Sequence, residues 1–277
     1  EGDVRARLLF VFDSSGSMNW NTCADDFTGG DGTLECPGDD LACAGGCAPS
    51  GCGDGEPNDS RLAKAKSGLS QVVAGFGEVE YGLMRFHQRA MEFACPTSNA
   101  SAQSGGWQGA GAAPCGGGFD EADLLVGFSQ ENQPDLLAWM DGDSESPTGM
   151  PAAGCDFEIR GTGTTPLAGS LASAETYLDD VQTGDTAAAC RPYVVILITD
   201  GVETCGGDPV SAASSLSAAG YTTYVVGFAV EDPTARASLD AIAAADGGRP
   251  TAIYVSDETE LATSISDIID DTVLVEV

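Results

Sequence analysis

The run Leu8-Leu9-Phe10-Val11-Phe12 ends abruptly in Asp13-Ser14-Ser15-Gly16-Ser17-Met18. A strand that is apolar at successive positions is buried on both faces, which requires a largely parallel sheet covered by helices on each side. The switch to polar residues ends the strand and opens a loop at its carboxyl end. Asp13, Ser15 and Ser17 alternate there, so one tight turn can aim three oxygens at a common point. Oxygen donors carrying few formal charges suit a hard divalent cation such as Mg²⁺, which takes one or two carboxylates and keeps water-filled positions. Taken singly, Ser15 and Ser17 also read as caps of the next element.

The remainder of the chain alternates strand and helix. After the strand at 4–12, a helix starts at Ser60 with Leu62, Ala65, Leu69, Val72 and Phe76 on one face, Lys64 and Lys66 off it, and Gly75 and Gly77 at its end. A strand at 79–88 follows, with His87, the only histidine, near its end as a surface or packing residue. Next come a strand at 122–128 and a helix at 132–140. In Gly161-Thr162-Gly163-Thr164-Thr165-Pro166-Leu167, Pro166 suits the first helical position and leaves Thr165 as N-cap. The strongest strand, at 192–199, ends in Asp200-Gly201, where an aspartate also reads as a plain turn residue. Helices opening at Asp208-Pro209 and Asp232-Pro233, strands at 222–230 and 251–255, and a capping box Asp257-x-x-Glu260 before the last helix complete the pattern. Residues 272–277 read as a short strand-like tail.

This alternation describes one α/β domain spanning 1–277, a doubly wound, mostly parallel six-stranded sheet with helices on both faces. In such sheets ligands bind beyond the carboxyl ends of the strands, where strand order reverses. With the order 3-2-1-4-5-6, the first and fourth strands flank that point. Asp13 and Asp200 then face one crevice, and Thr165 comes within reach of it.

Two stretches interrupt the pattern, at about 19–60 and 94–118. The first is rich in Gly, Asp and Pro and carries five of the chain's ten cysteines. An even cysteine count in Gly-rich surroundings reads as a disulfide framework in an oxidising, extracellular compartment, so both inserts are expected to be stapled. Cys95 and Cys115 bracket the second insert and are expected to pair; Cys205 is expected to reach the first insert, leaving Cys155 or Cys190 for another pair. The spacing of Cys43, Cys47 and Cys52 also admits zinc ligation. Asp25, Asp26, Asp31, Asp39, Asp40 and Asp54 could hold an additional Ca²⁺, although a solvated acidic loop explains them as well and no twelve-residue calcium loop is present. The chain starts at Glu1 without a signal-peptide pattern, as expected of a mature secreted protein or a piece cut from one.

The formal charge of −32, from 43 acidic against 11 basic residues, would repel phosphates. It argues against nucleic acid and anionic membrane surfaces as partners. No apolar run approaches the ~20 residues of a membrane helix, so no membrane insertion is expected.

Asp13-Ser14-Ser15-Gly16-Ser17-Met18, the Gly163-Thr164-Thr165-Pro166-Leu167 turn and Ile198-Thr199-Asp200-Gly201 together resemble a von Willebrand factor type A domain with a metal-ion-dependent adhesion site, as in integrin I domains. The resemblance covers about 4–270 apart from the inserts. It implies a Rossmann-like fold with one antiparallel edge strand. It further implies that Asp13, Ser15, Ser17, Thr165 and Asp200 are the metal ligands: Asp13 partly through water, the serines by hydroxyl, Thr165 directly in a high-affinity state, and Asp200 directly or through water. Thr162 and Thr164 compete for the threonine role; Ser170 and Leu171 stand at the family's usual offset from Thr165. The first insert is a departure, because the family runs from the metal loop straight into its first helix.

The resemblance implies a secreted or surface domain that is not an enzyme. Mg²⁺, or Mn²⁺ or Ca²⁺, would bind an acidic group of a protein or glycan partner. The alternative is a structural subunit or tip domain of an extracellular filament or pilus-like appendage, with possible self-association. Against catalysis, no Gly-x-Ser-x-Gly elbow or phosphate loop is present, and one histidine cannot build a multi-histidine zinc site.

Overall fold

A computed structural model describes residues 4–20, 60–87, 115, 121–140, 159, 161, 163–245, 247 and 249–274. Six strands form one sheet: β1 (Arg7–Phe12), β2 (Glu80–Phe86), β3 (Ala122–Ser129), β4 (Tyr193–Thr199), β5 (Thr222–Phe228) and β6 (Ile253–Val255). Their order is β3-β2-β1-β4-β5-β6, as expected for a doubly wound fold. Only β2 with β3 is antiparallel; the other four pairings are parallel.

The period-two alternation of the central strands divides the core in two. Leu8, Phe10 and Phe12 of β1 and Val194, Ile196 and Ile198 of β4 enter one cluster. Leu9, Val11, Val195 and Leu197 enter the other. The first cluster is completed by α1 (Arg61–Gly75), α2 (Gln133–Leu137) and α6 (Glu258–Leu274), and the second by α3 (Leu167–Gly184), α4 (Pro209–Ala218) and α5 (Pro233–Ala244). Both faces of β1 and β4 are thus dry, which is why those strands read as unbroken apolar runs. α1 lies so close to α6 that a Cβ on Gly68 would come within 2.7 Å of the Glu258 carbonyl. Among the described residues no helix is long and apolar enough to cross a membrane.

The capping chemistry follows the sequence closely. Ser60 accepts from the Ala63 amide at 3.0 Å. Asp208 and Asp232 cap α4 and α5, each followed by proline at the helix start. Asp257 accepts from the Thr259 and Glu260 amides, while Glu260 reaches back to Ser256 rather than to Asp257.

The structure corrects several expectations. Residues 272–274 belong to α6 rather than to a strand-like tail, because the helix keeps Ile268, Ile269 and Thr272 buried through its last turns. The helix expected at 132–140 is only Gln133–Leu137. Lys66 is buried, its amine reaching the Ile159 carbonyl at 3.4 Å. Cys115 is joined to Cys205, not to Cys95, because the loop after β4 comes to the second insert. Cys205 is therefore not available to the first insert, and Cys190 carries a free thiol rather than a pair. The zinc and calcium readings of the first insert, and the bulk of both inserts, lie outside the described residues.

Candidate metal centre

The parallel register places Phe12 opposite Ile198, and the Asp13 amide continues the ladder to the Ile198 carbonyl at 2.9 Å. Asp13 and Asp200 therefore end neighbouring strands at the reversal of strand order. Just beyond β1 the chain turns sharply. Ser15 donates its amide to Asp13 Oδ1 at 2.7 Å, and a single 3-10 turn, Gly16–Asn19, follows. Thr199 donates its hydroxyl to Asp13 Oδ2 at 2.5 Å, so both carboxylate oxygens of Asp13 are engaged.

The turn gathers the alternating side chains. The Ser15 and Ser17 hydroxyls lie 3.0 Å apart, and Ser17 donates to Asp200 Oδ1 at 2.7 Å. Ser15, Ser17 and Asp200 thus form one continuous chain, with Asp13 bound to the same turn. Asp13 and Ser15 are fully buried, and the Asp200 side chain is closed off from solvent.

The third segment is stitched in through its backbone. The Gly16 amide donates to the Gly163 carbonyl at 3.2 Å, and Asn19 donates to the Gly161 carbonyl at 2.7 Å. Thr165 and Thr204 exchange two bonds: the Thr165 amide donates to the Thr204 hydroxyl at 2.7 Å, and the Thr204 amide to the Thr165 carbonyl at 3.0 Å. Thr165 is buried, but it is not the N-cap of α3. That helix starts one residue later, after Pro166, and its Ala168 amide is satisfied by the Glu203 carboxylate at 2.8 Å. Glu203 also accepts from the Cys205 amide at 2.6 Å, folding the loop after β4 onto the start of α3.

The electrostatics are unbalanced. The Asp13 carboxyl is pushed up to about 7, first by burial and then by the negative charge of Asp200, against the hydrogen bonds from Ser15 and Thr199. A buried pair of carboxylates favours a nearby cation. One is already present: Arg61, the first residue of α1, donates to Asp200 Oδ2 at 2.8 Å from a largely buried position. Arg61, Glu203 and Thr204 carry no local signal in the sequence that would place them here. The remaining donors, the Asp13 and Asp200 carboxylates and the Ser15 and Ser17 hydroxyls, are all oxygens, and Thr165 follows the Gly163 carbonyl that is bonded to the same turn. That set fits a hard divalent cation. Among the described residues no three His, Cys, Asp or Glu side chains form a group that could hold a metal ion. His87, at the end of β2, hydrogen-bonds Asp123 at 2.5 Å instead of joining this cluster.

The doubly wound sheet, with side-chain oxygens clustered at its reversal point, defines a Rossmann-like α/β domain. That fold is consistent with a von Willebrand factor type A domain, and the family model for that domain matches residues 155–268. That segment contains Thr165 and Asp200; the Asp13–Ser17 loop lies ahead of it, beyond the two inserts. YwmC of Bacillus subtilis, an uncharacterised protein, is 35% identical over 99 residues, covering 36% of this chain and 40% of YwmC. YwmD of the same organism is 36% identical over 107 residues, 38% of this chain and 45% of that protein. The chain thus matches less than half the length of each of these relatives. Among solved structures, an aerotolerance-related membrane protein from Bacteroides fragilis shares the fold with a TM-score of 0.52 at 17% identity, over 96% of this chain and 99% of that one. The PilB minor pilin of Streptococcus sanguinis has a TM-score of 0.52 at 13% identity, over 98% of this chain and 62% of that one.

Proposed function

We propose that this chain is an extracellular or cell-surface binding module that works through a divalent cation, Mg²⁺ being the best fit and Mn²⁺ or Ca²⁺ the alternatives. The observation that carries this reading is the hydrogen-bonded chain from Ser15 through Ser17 to Asp200, closed against Asp13 at the ends of adjacent strands. Asp13, Ser15, Ser17, Thr165 and Asp200 would hold the ion. When bound, it supplies a Lewis-acidic position for an acidic group of a protein or glycan partner. With only two carboxylates against it, the ion stays electrophilic. The chain's overall negative charge makes the ion the local attractor, so association should weaken with salt and vanish on chelation.

The single domain over 1–277 and its stapled inserts form part of the same reading. The Cys115–Cys205 link supports an oxidising compartment. The fold shared with a minor pilin favours a second reading, a subunit or tip of a surface filament. Negative-stain microscopy of native material separates the two: filaments carrying this chain support the second, and dispersed monomers under all conditions count against it.

The test of the first reading is Mn²⁺ or Mg²⁺ titration of the wild type and Asp13→Ala by calorimetry. Binding near one ion per chain that is lost in the variant, with circular dichroism unchanged, is the expected result. No binding by the wild type, or full binding by a folded Asp13→Ala, would sink it.

A further inference from the structure

We infer that Arg61 is a tethered counter-cation of the metal centre, competing with a divalent ion for the field of Asp200 and so setting how tightly the ion is held. The inference rests on the assignment of Asp13, Ser15, Ser17, Thr165 and Asp200 as ligands. Asp200 divides its oxygens: Oδ1 accepts from Ser17 within the hydroxyl cluster, and Oδ2 accepts from Arg61. The guanidinium therefore stands directly behind the carboxylate that a metal would use.

The position of Arg61 is fixed from three sides. Its amide donates to the Trp20 carbonyl at 2.9 Å, and Ser60 just before it caps α1. The Trp20 ring lies over the guanidinium at 5.7 Å, a cation–π contact that favours the charged head in a poorly hydrated place. Trp20 itself is partly exposed and shields Arg61 from outside.

Charge counting gives the consequence. Two carboxylates would offer a divalent ion full neutralisation; Arg61 offsets part of that negative charge. Repulsion between the guanidinium and the ion lowers affinity. It also leaves the bound ion more positive, and so more attractive to an anionic group of a partner. In the absence of metal, Arg61 holds Asp200 in its ligating position.

The test is calorimetric Mn²⁺ titration of the wild type, Arg61→Met, Arg61→Gln and Arg61→Lys, with Asp13→Ala as the control. The two neutral variants are expected to bind Mn²⁺ at least about tenfold more tightly, and Arg61→Lys to stay within about threefold of wild type. Using two neutral variants keeps the comparison intact if one fails to fold. Unchanged or weaker binding in the neutral variants overturns the inference, as does an equal loss in Arg61→Lys and Arg61→Met, which marks a packing role. If the wild type binds no Mn²⁺, or Asp13→Ala binds as wild type does, the ligand assignment fails first and the inference falls with it.

Discussion

The Ser17 hydroxyl donates to Asp200 Oδ1 at 2.7 Å, joining residues 183 positions apart in the chain. The bond exists because β1 and β4 are neighbours in register and both end at the same level. It also sets a conflict: two buried carboxylates share one small volume, with the Arg61 guanidinium against Asp200.

Asp13→Asn relieves that conflict in the metal-free protein while removing a ligand. Asn keeps the acceptor for the Ser15 amide. The metal-free variant is expected to melt roughly 2–4 °C higher, corresponding to about 1 kcal/mol in a domain of this size. The Mg²⁺-induced rise in melting temperature should disappear. Differential scanning calorimetry with EDTA and with Mg²⁺ checks both halves; a destabilised metal-free variant that still responds to Mg²⁺ would contradict the assignment.

Thr204→Val tests the brace on Thr165. The Thr165 amide loses the hydroxyl it donates to at 2.7 Å, leaving a buried donor unsatisfied. Stability should drop by about 1–3 kcal/mol in urea unfolding. Mn²⁺ affinity is expected to fall several-fold as the threonine loop loosens, whereas Thr204→Ser should retain both.

The link between Cys115 and Cys205 closes a loop with a sequence separation of 90. Non-reducing peptide mapping should recover the two cysteines in one cross-linked fragment. In the chain-entropy picture a loop of this length contributes up to about 4–5 kcal/mol. Replacing both cysteines by serine should therefore lower stability by several kcal/mol while leaving the circular dichroism spectrum alike.

The amino-terminal end of the central strands, opposite the Asp13–Asp200 cluster, predicts an acid transition. Asp185 receives Arg191 at 2.6 Å, Tyr193 at 2.6 Å, Arg7 at 3.0 Å and the Ala187 amide at 2.9 Å. Burial pushes its carboxyl up, but the Tyr193 and Ala187 hydrogen bonds and the two arginines together hold it below its ordinary 3.8. A depressed folded-state pKa contributes stability that is fully present above the unfolded value and is lost as pH falls through the folded one. The stability gap between wild type and Asp185→Asn should be constant above about pH 5 and close progressively below the ordinary 3.8. A gap that instead closes on raising the pH would refute the assignment.

Much of this molecule was legible because its strands are short, apolar and ended by aspartates. The fold class followed from the alternation, the supposed strand order 3-2-1-4-5-6 is the one observed, and Asp13, Ser15, Ser17 and Asp200, picked out by strand ends and spacing, lie together. The misses share a cause: contacts between residues distant in sequence. Arg61 stands against Asp200 because α1 begins there, and nothing near it in sequence shows that. Glu203, from a loop 35 residues on, accepts from the Ala168 amide at the start of the helix that Thr165 was expected to cap. Lys66 lies beside the apolar stripe and is buried by chain that arrives from residue 159. Cysteine partners depend on which loops meet in space, so sequence proximity misled the assignment of Cys115.

The bond from the Arg61 amide to the Trp20 carbonyl brings both ends of the 21–59 segment to one doorway beside the metal centre. Chain leaving there returns to the point of departure, so its length and sequence can diversify without moving a strand or a helix. Evolution can graft, trim or exchange what is carried at that doorway while the scaffold stays the same, in the manner of a tool holder that accepts different bits.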